Sequence, residues 1–183
     1  MRRELVAASR RLSLVLRHRP ESFGLALDAR GWCSVSDLLA AFAEHGAALD
    51  RATLVEVVET NDKRRFALSD DGERIRAVQG HSVEVDLDLT PHAPPEILFH
   101  GTTARFLAAI LREGLAPRGR HHVHLSADVV TARAVGGRRG APVVLRVAAG
   151  EMHRTGHVFL RAENGVWLTA SVAPEYLAET PAG

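Results

Sequence analysis

Four short stretches of this 183-residue chain hold polar side chains that hydrophobic patterning leaves unexplained. In "LRHRP", Arg17 and His18 stand side by side just ahead of Pro20. In "NDKRRF", residues 61–66, Arg64 and Arg65 precede Phe66. "FHGTT", residues 99–103, sets His100 beside Gly101 and the hydroxyl pair Thr102 and Thr103, and "RHHVHLS", residues 120–126, joins Arg120 to His121, His122, His124 and Ser126. Arginine grips phosphate through two parallel hydrogen bonds and histidine changes charge near neutral pH, so the first two stretches suit an anionic substrate. Gly101 would let a ligand approach the backbone closely, and either threonine could cap a following helix.

Strand periodicity sends Arg64 and Arg65 to opposite faces, so one of them can share a pocket with Arg17, while Phe66 belongs to the core. The plainer reading of this stretch is a solvated wing whose arginines face water. In "RHHVHLS", alternation puts His122 and His124 on one face. With His100 they would supply three nitrogen donors, but no carboxylate or cysteine has the spacing to complete a zinc site, and no metal is assigned. Core histidines bonded to backbone are the commoner case.

The elements that must position these residues follow from period and punctuation. Leu5, Leu12, Val15 and Leu16 form one helical stripe over residues 4–16, which puts Arg17 and His18 at the carboxyl end, where the helix dipole favours cations. "GWCSVSDLLAAFAEHG" reads as a short strand, a Ser36 cap and a helix ending at Gly46; Asp50 caps a further helix. "RRFALSDDGERIRAVQG" gives two strands about an Asp-Asp-Gly turn. Helix, helix, helix, hairpin is the order of a winged helix. Three prolines near the end of residues 84–96 mark a boundary. Beyond it "ILFHGTT" reads as a strand entering a turn, "ARFLAAILREGL" as a helix with Phe106, Ile110 and Leu111 inward, and "HHVHLS" as a strand. "SADVVTARAVGGRRG" is a short helix with a glycine-rich tail, and "PVVLRVAA", "HVFLRA" and "VWLTASV" are strands, the last two joined through Glu163, Asn164 and Gly165. The fold class is α+β, with a domain at 1–86, a linker at 87–95 and a strand-rich domain at 96–183.

Composition narrows the class. With 46% apolar and 25% charged residues the chain is ordinary globular protein. No apolar run approaches the roughly 20 residues that cross a bilayer, and the amino end lacks a clean hydrophobic stretch with a cleavage site, so a cytoplasmic home without a membrane is expected. A single cysteine, Cys33, excludes an internal disulfide framework and suits a small core position. Net charge is +1, and every basic residue but Lys63 is arginine, so placement rather than bulk charge must decide on nucleic acid.

Taken in order, "LRHRP", "NDKRRF", "QGHS", "FHGT", "RHHVHLS", "VWLT" and "PEYL" resemble the RNA 2'-phosphotransferase family over nearly the whole chain. The resemblance implies a winged-helix lobe followed by an ADP-ribosyltransferase-type lobe, with NAD+ as co-substrate and 2'-phosphorylated RNA as partner. It places catalytic roles on Arg17, His18, Arg65 and Arg120; Arg65 is preferred to Arg64 because it directly precedes the phenylalanine. It places NAD+ near His100, Gly101 and Thr102, with Ser126 and Arg139 nearby, and includes His122 and His124 in the same motif without deciding which touches ligand.

The implied reaction has two steps. The RNA 2'-phosphate attacks the anomeric carbon of the nicotinamide ribose, releasing nicotinamide. The adjacent 2''-hydroxyl then attacks phosphorus, giving 2'-OH RNA and ADP-ribose 1'',2''-cyclic phosphate. Such a phosphate is already close to a dianion and needs no carboxylate base, consistent with the lack of an acid at Val166 or Trp167 in "NGVWLT". His18 would grip the phosphate or give a proton to the departing oxygen, the phosphate being clamped between lobes of a monomer. Two rivals are an NAD-dependent ADP-ribosyltransferase that caps terminal phosphates of RNA or DNA, and a winged-helix regulator whose second domain senses a nucleotide.

Overall fold

The stripe of Leu5, Leu12, Val15 and Leu16 becomes the buried face of α1 (Arg3–Arg17) in the computed structural model, which describes residues 3–61 and 63–180. The chain divides into two units, Met1–Asp88 and Leu89–Gly183. In the first, α1 shares one hydrophobic cluster with α2 (Val35–Glu44) through Leu38 and Phe42 and with α3 (Arg51–Glu59) through Leu54 and Val57. Each such side chain, fully buried, contributes roughly 1.5–3 kcal/mol. Strands β1 (Trp32–Ser34), β2 (Phe66–Leu68) and β3 (Arg74–Ala77) form an antiparallel sheet in the order β1-β3-β2, closing the cluster with Cys33, Phe66 and Ile75. Burial, with lesser contributions from Asp37 and Asp28, pushes the Cys33 thiol up to about 12, so it stays neutral and acts as a small hydrophobe.

Asp50 caps α3 as expected, accepting from the Thr53 N–H at 2.6 Å. The α2 cap is Ser34 rather than Ser36: β1 runs directly into the helix, so the last strand residue accepts the Asp37 N–H at 3.2 Å. The helix stops at Glu44, and Gly46 follows at φ +65°. The β2–β3 hairpin turns at Gly72, φ +69°.

The second unit holds β4 (Leu98–Thr103), α4 (Ala104–Glu113), β5 (Val123–Leu125), α5 (Val129–Gly136), β6 (Pro142–Val147), α6 (Ala149–Arg154), β7 (Phe159–Arg161), β8 (Trp167–Thr169) and β9 (Leu177–Glu179). They make two antiparallel sheets, β4-β6-β9 and β5-β8-β7. A reciprocal backbone pair joins β4 to the end of β5: Phe99 N–H donates to Ser126 O at 2.9 Å, and Ser126 N–H to Phe99 O at 2.8 Å. The core contains Leu98, Leu125, Leu145, Val147, Met152 and Phe159. The expected α+β class holds. Sequence patterning did not give α6 or β9, whose six and three residues are too short to show a period. No described helix is long and apolar enough to cross a membrane.

Two expectations at "FHGTT" change. Strand β4 continues through Thr103 straight into α4, so His100 and Gly101 lie inside the strand instead of at its end. Thr103 occupies the cap position without a capping hydrogen bond, because it is a strand residue paired with Pro142; both threonines are buried. The backbone that comes close to Gly101 is that of α5. A β-carbon at Gly101 would collide with the Ala132 carbonyl oxygen, and one at Gly136 would lie 2.6 Å from Thr102 O. Two glycines thus permit main chain to rest on main chain, as neither alone could.

Gly101→Ala and Gly136→Ala should each lower stability by about 3 kcal/mol in urea unfolding, as overpacking against unyielding backbone does. Gly119→Ala, where a β-carbon meets nothing within 4 Å, should leave the midpoint unchanged.

Candidate active site

In the first unit, three segments far apart in sequence meet at the carboxyl end of α1. Arg17, its last residue, is buried at 7% exposure, and its Nη2 donates to the Arg65 carbonyl at 3.4 Å. His18 follows, its N–H tied to Leu14 O, and its ring Nδ1 lies 2.9 Å from Ser82 Oγ. Ser82 and Val83 N–H groups both donate to Arg17 O, at 2.9 and 3.3 Å, so the chain after β3 is stitched to the end of α1. These bonds supply carbonyls that a helix end leaves without intrahelical partners.

Arg65 is half-buried and directly precedes β2, with Val78 N–H donating to its carbonyl at 3.0 Å. Its Nη1 donates to Asn61 Oδ1 at 3.1 Å, and Lys63 N–H donates to the same oxygen at 3.2 Å. Two donors on one side fix the amide's orientation, leaving Nδ2 to donate to Ser9 Oγ at 3.0 Å; Asn61 is itself buried. Arg64 is different. It is exposed at φ +39°, ahead of the strand, so a turn rather than strand alternation separates the two arginines. The structure therefore joins Arg65 to Arg17, next to His18 in the chain, and leaves Arg64 exposed. Asp62 of the same stretch lies outside the described residues.

Asn61, Ser9 and Ser82 were given no role by the sequence. Asn61 and Ser82 lie within "NDKRRF" and "QGHS", so the signal was their membership in a motif; Ser9 carries none, being a small residue on the buried side of α1.

In the second unit a chain of histidine-to-backbone bonds runs across the β4–β5 junction. His100 Nδ1 is 3.2 Å from His124 O, and His124 Nδ1 is 3.0 Å from His122 O. A carbonyl accepts only, so both Nδ1 atoms carry the proton and each Nε2 presents a lone pair in the neutral ring. Burial holds His100 below the ordinary histidine value, outweighing the backbone bond to His124 that favours its charge; His122 is lowered by burial and then by His121. A neutral His100 ring has an acceptor at Nε2 and no charge to offer an anion. Ser126 is held beside this chain by its pairing with Phe99, and Gly101 and Thr102 continue β4 from His100. Among the described residues no group of three or more His, Cys, Asp or Glu could hold a metal ion. Arg120 is exposed in a turn closed by its own N–H to Pro117 O at 3.2 Å. Arg139 ends the short 3-10 turn Gly137–Arg139 after α5; its side chain lies outside the described residues.

Comparison with known proteins identifies the family. Residues 3–171 match the model of the RNA 2'-phosphotransferase, Tpt1 / KptA family. Similar curated proteins include the probable RNA 2'-phosphotransferases of Burkholderia lata, 59% identical over 93% of this chain and 89% of that protein, and of Acaryochloris marina, 52% identical over 98% and 99%. Another, from Streptomyces griseus, is 55% identical over 96% of both chains. A match of this extent defines the class, and the chain belongs to the RNA 2'-phosphotransferase family.

The lowered His100 pKa has a testable sign. The unfolded chain binds the proton more readily, so this contribution to stability is intact above pH 6.5 and declines as pH falls below it. The urea midpoint of wild type should drop between pH 7.5 and 5, and drop less in His100→Gln.

Proposed function

We propose that the protein is an NAD+-dependent RNA 2'-phosphotransferase, moving an internal 2'-phosphate of RNA to NAD+ and releasing 2'-OH RNA, nicotinamide and ADP-ribose 1'',2''-cyclic phosphate. The observation that carries this is the meeting of Arg17, His18 and Arg65 at the end of α1, with Arg17 bonded to the Arg65 backbone. Together with membership of the family, it supports a site for a phosphate.

In this proposal Arg17, His18 and Arg65 of the first unit and Arg120 of the second act on the RNA phosphate. The phosphate is an ionised nucleophile that needs orientation more than activation. Arginines disposed about its oxygens stabilise charge when phosphorus is attacked in the second step. His100, Gly101, Thr102, Ser126 and Arg139 are assigned to NAD+, which supplies the anomeric carbon that the phosphate attacks. The neutral His100 ring, its Nδ1 proton spent on His124 O, leaves Nε2 to accept from a ribose hydroxyl, and this acceptor fits a nucleotide sugar. We further assign the first unit, with its helices and β1-β3-β2 sheet, to the winged-helix class and the second to the ADP-ribosyltransferase class. We place the enzyme in the cytoplasm as a monomer.

The protein, incubated with NAD+ and an internally 2'-phosphorylated oligonucleotide, should yield a dephosphorylated strand and the cyclic phosphate. A terminally phosphorylated strand that gains ADP-ribose instead would favour a capping enzyme, and no nicotinamide with either RNA would remove both. Arg65→Ala should slow the second step more than the first, visible as a build-up of ADP-ribosylated RNA.

A further inference from the structure

We propose that Ser82 is a positioning residue for His18, keeping the ring proton on Nδ1 so that Nε2 is the nitrogen offered to the phosphate. This rests on the reading of His18 as the phosphate-facing histidine. The hydroxyl of Ser82 stands between two groups of fixed or limited character: Arg17 O, 3.4 Å away, accepts only, and His18 Nδ1 lies 2.9 Å away. A hydroxyl has a single proton. Given to the Arg17 carbonyl, it leaves the Ser82 oxygen as acceptor, and the bond to His18 forms only when Nδ1 bears hydrogen. The neutral ring then has its lone pair, and the imidazolium its second N–H, on Nε2. A neutral histidine in water favours the opposite tautomer, so the arrangement has to be imposed.

Imposing it matters for either role open to His18. As a phosphate ligand or as a proton donor to the departing oxygen, the ring must act through the nitrogen turned away from Ser82, and one nitrogen must do so in every turnover. The anchor is held independently of its side chain, since the Ser82 and Val83 N–H groups bind Arg17 O whatever residue 82 carries. His18 is likewise tied through its own N–H to Leu14 O, so its ring torsions are what the hydroxyl governs. Residue 82 is exposed, and removing one oxygen there leaves no cavity.

Nitrogen-15 NMR of the imidazoles in the full chain, with His18 assigned through His18→Gln, should show the wild-type ring protonated on Nδ1 when neutral. Ser82→Ala should move it toward Nε2–H and lower kcat on 2'-phosphorylated RNA by about 10- to 100-fold with KM for NAD+ unchanged; Ser82→Thr should restore both. A wild-type ring protonated on Nε2 would overturn the proposal, as would a Ser82→Ala rate equal to wild type, whatever its tautomer. The NMR arm needs no turnover: inactivity of the wild type toward 2'-phosphorylated RNA would refute the functional reading, while the tautomer still decides how Ser82 acts on His18.

Discussion

Burying a guanidinium costs free energy that hydrogen bonds to oxygen reduce, and the carboxyl end of α1 sets one such oxygen, the Arg65 carbonyl, against Arg17. The last residue of the helix is buried, its Nη2 reaches the Arg65 carbonyl, and its own carbonyl is taken by the N–H groups of Ser82 and Val83. A helix end concentrates partial negative charge, which favours a cation there. One backbone exchange thereby draws residues 17–18, the approach to β2 and the segment after β3 to a single place. Asn61 extends the same logic by fixing the Arg65 side chain, and is fixed in turn by Ser9.

The second unit solves a different problem by different means. Its histidines are oriented by carbonyls: His100 points at His124 O and His124 at His122 O, and burial lowers the pKa of His100. That chain depends on β4 and β5 lying side by side, which the Phe99–Ser126 pair secures, and on α5 resting directly on β4, which Gly101 and Gly136 allow.

Much of this was legible in the sequence because its signals are local. The α1 stripe, the Asp50 cap, the Asp-Asp-Gly hairpin, the burial of Cys33 and Phe66, and the turn at Gly165 each follow from period, capping chemistry or glycine's tolerance of positive φ. Errors fell where an element passes into the next without a break. Ser34 replaced Ser36 because β1 enters α2 directly, and Thr103 did not cap α4 because β4 runs to its threshold. The space that a β-carbon of Gly101 would take is filled by a helix 31 residues onward, whose approach no local pattern records.

By itself the sequence determined the α+β composition, the order of the elements other than α6 and β9, the family and which residue types were available for chemistry. Tertiary structure alone decided that the Arg65 carbonyl takes the Arg17 guanidinium, that Asn61 holds the Arg65 side chain and Ser82 the His18 ring, and that burial lowers the pKa of His100. The division has a physical reason: propensity and periodicity act between residues a few positions apart. Desolvation and hydrogen-bond geometry depend on which distant backbone atoms fill the space around a side chain.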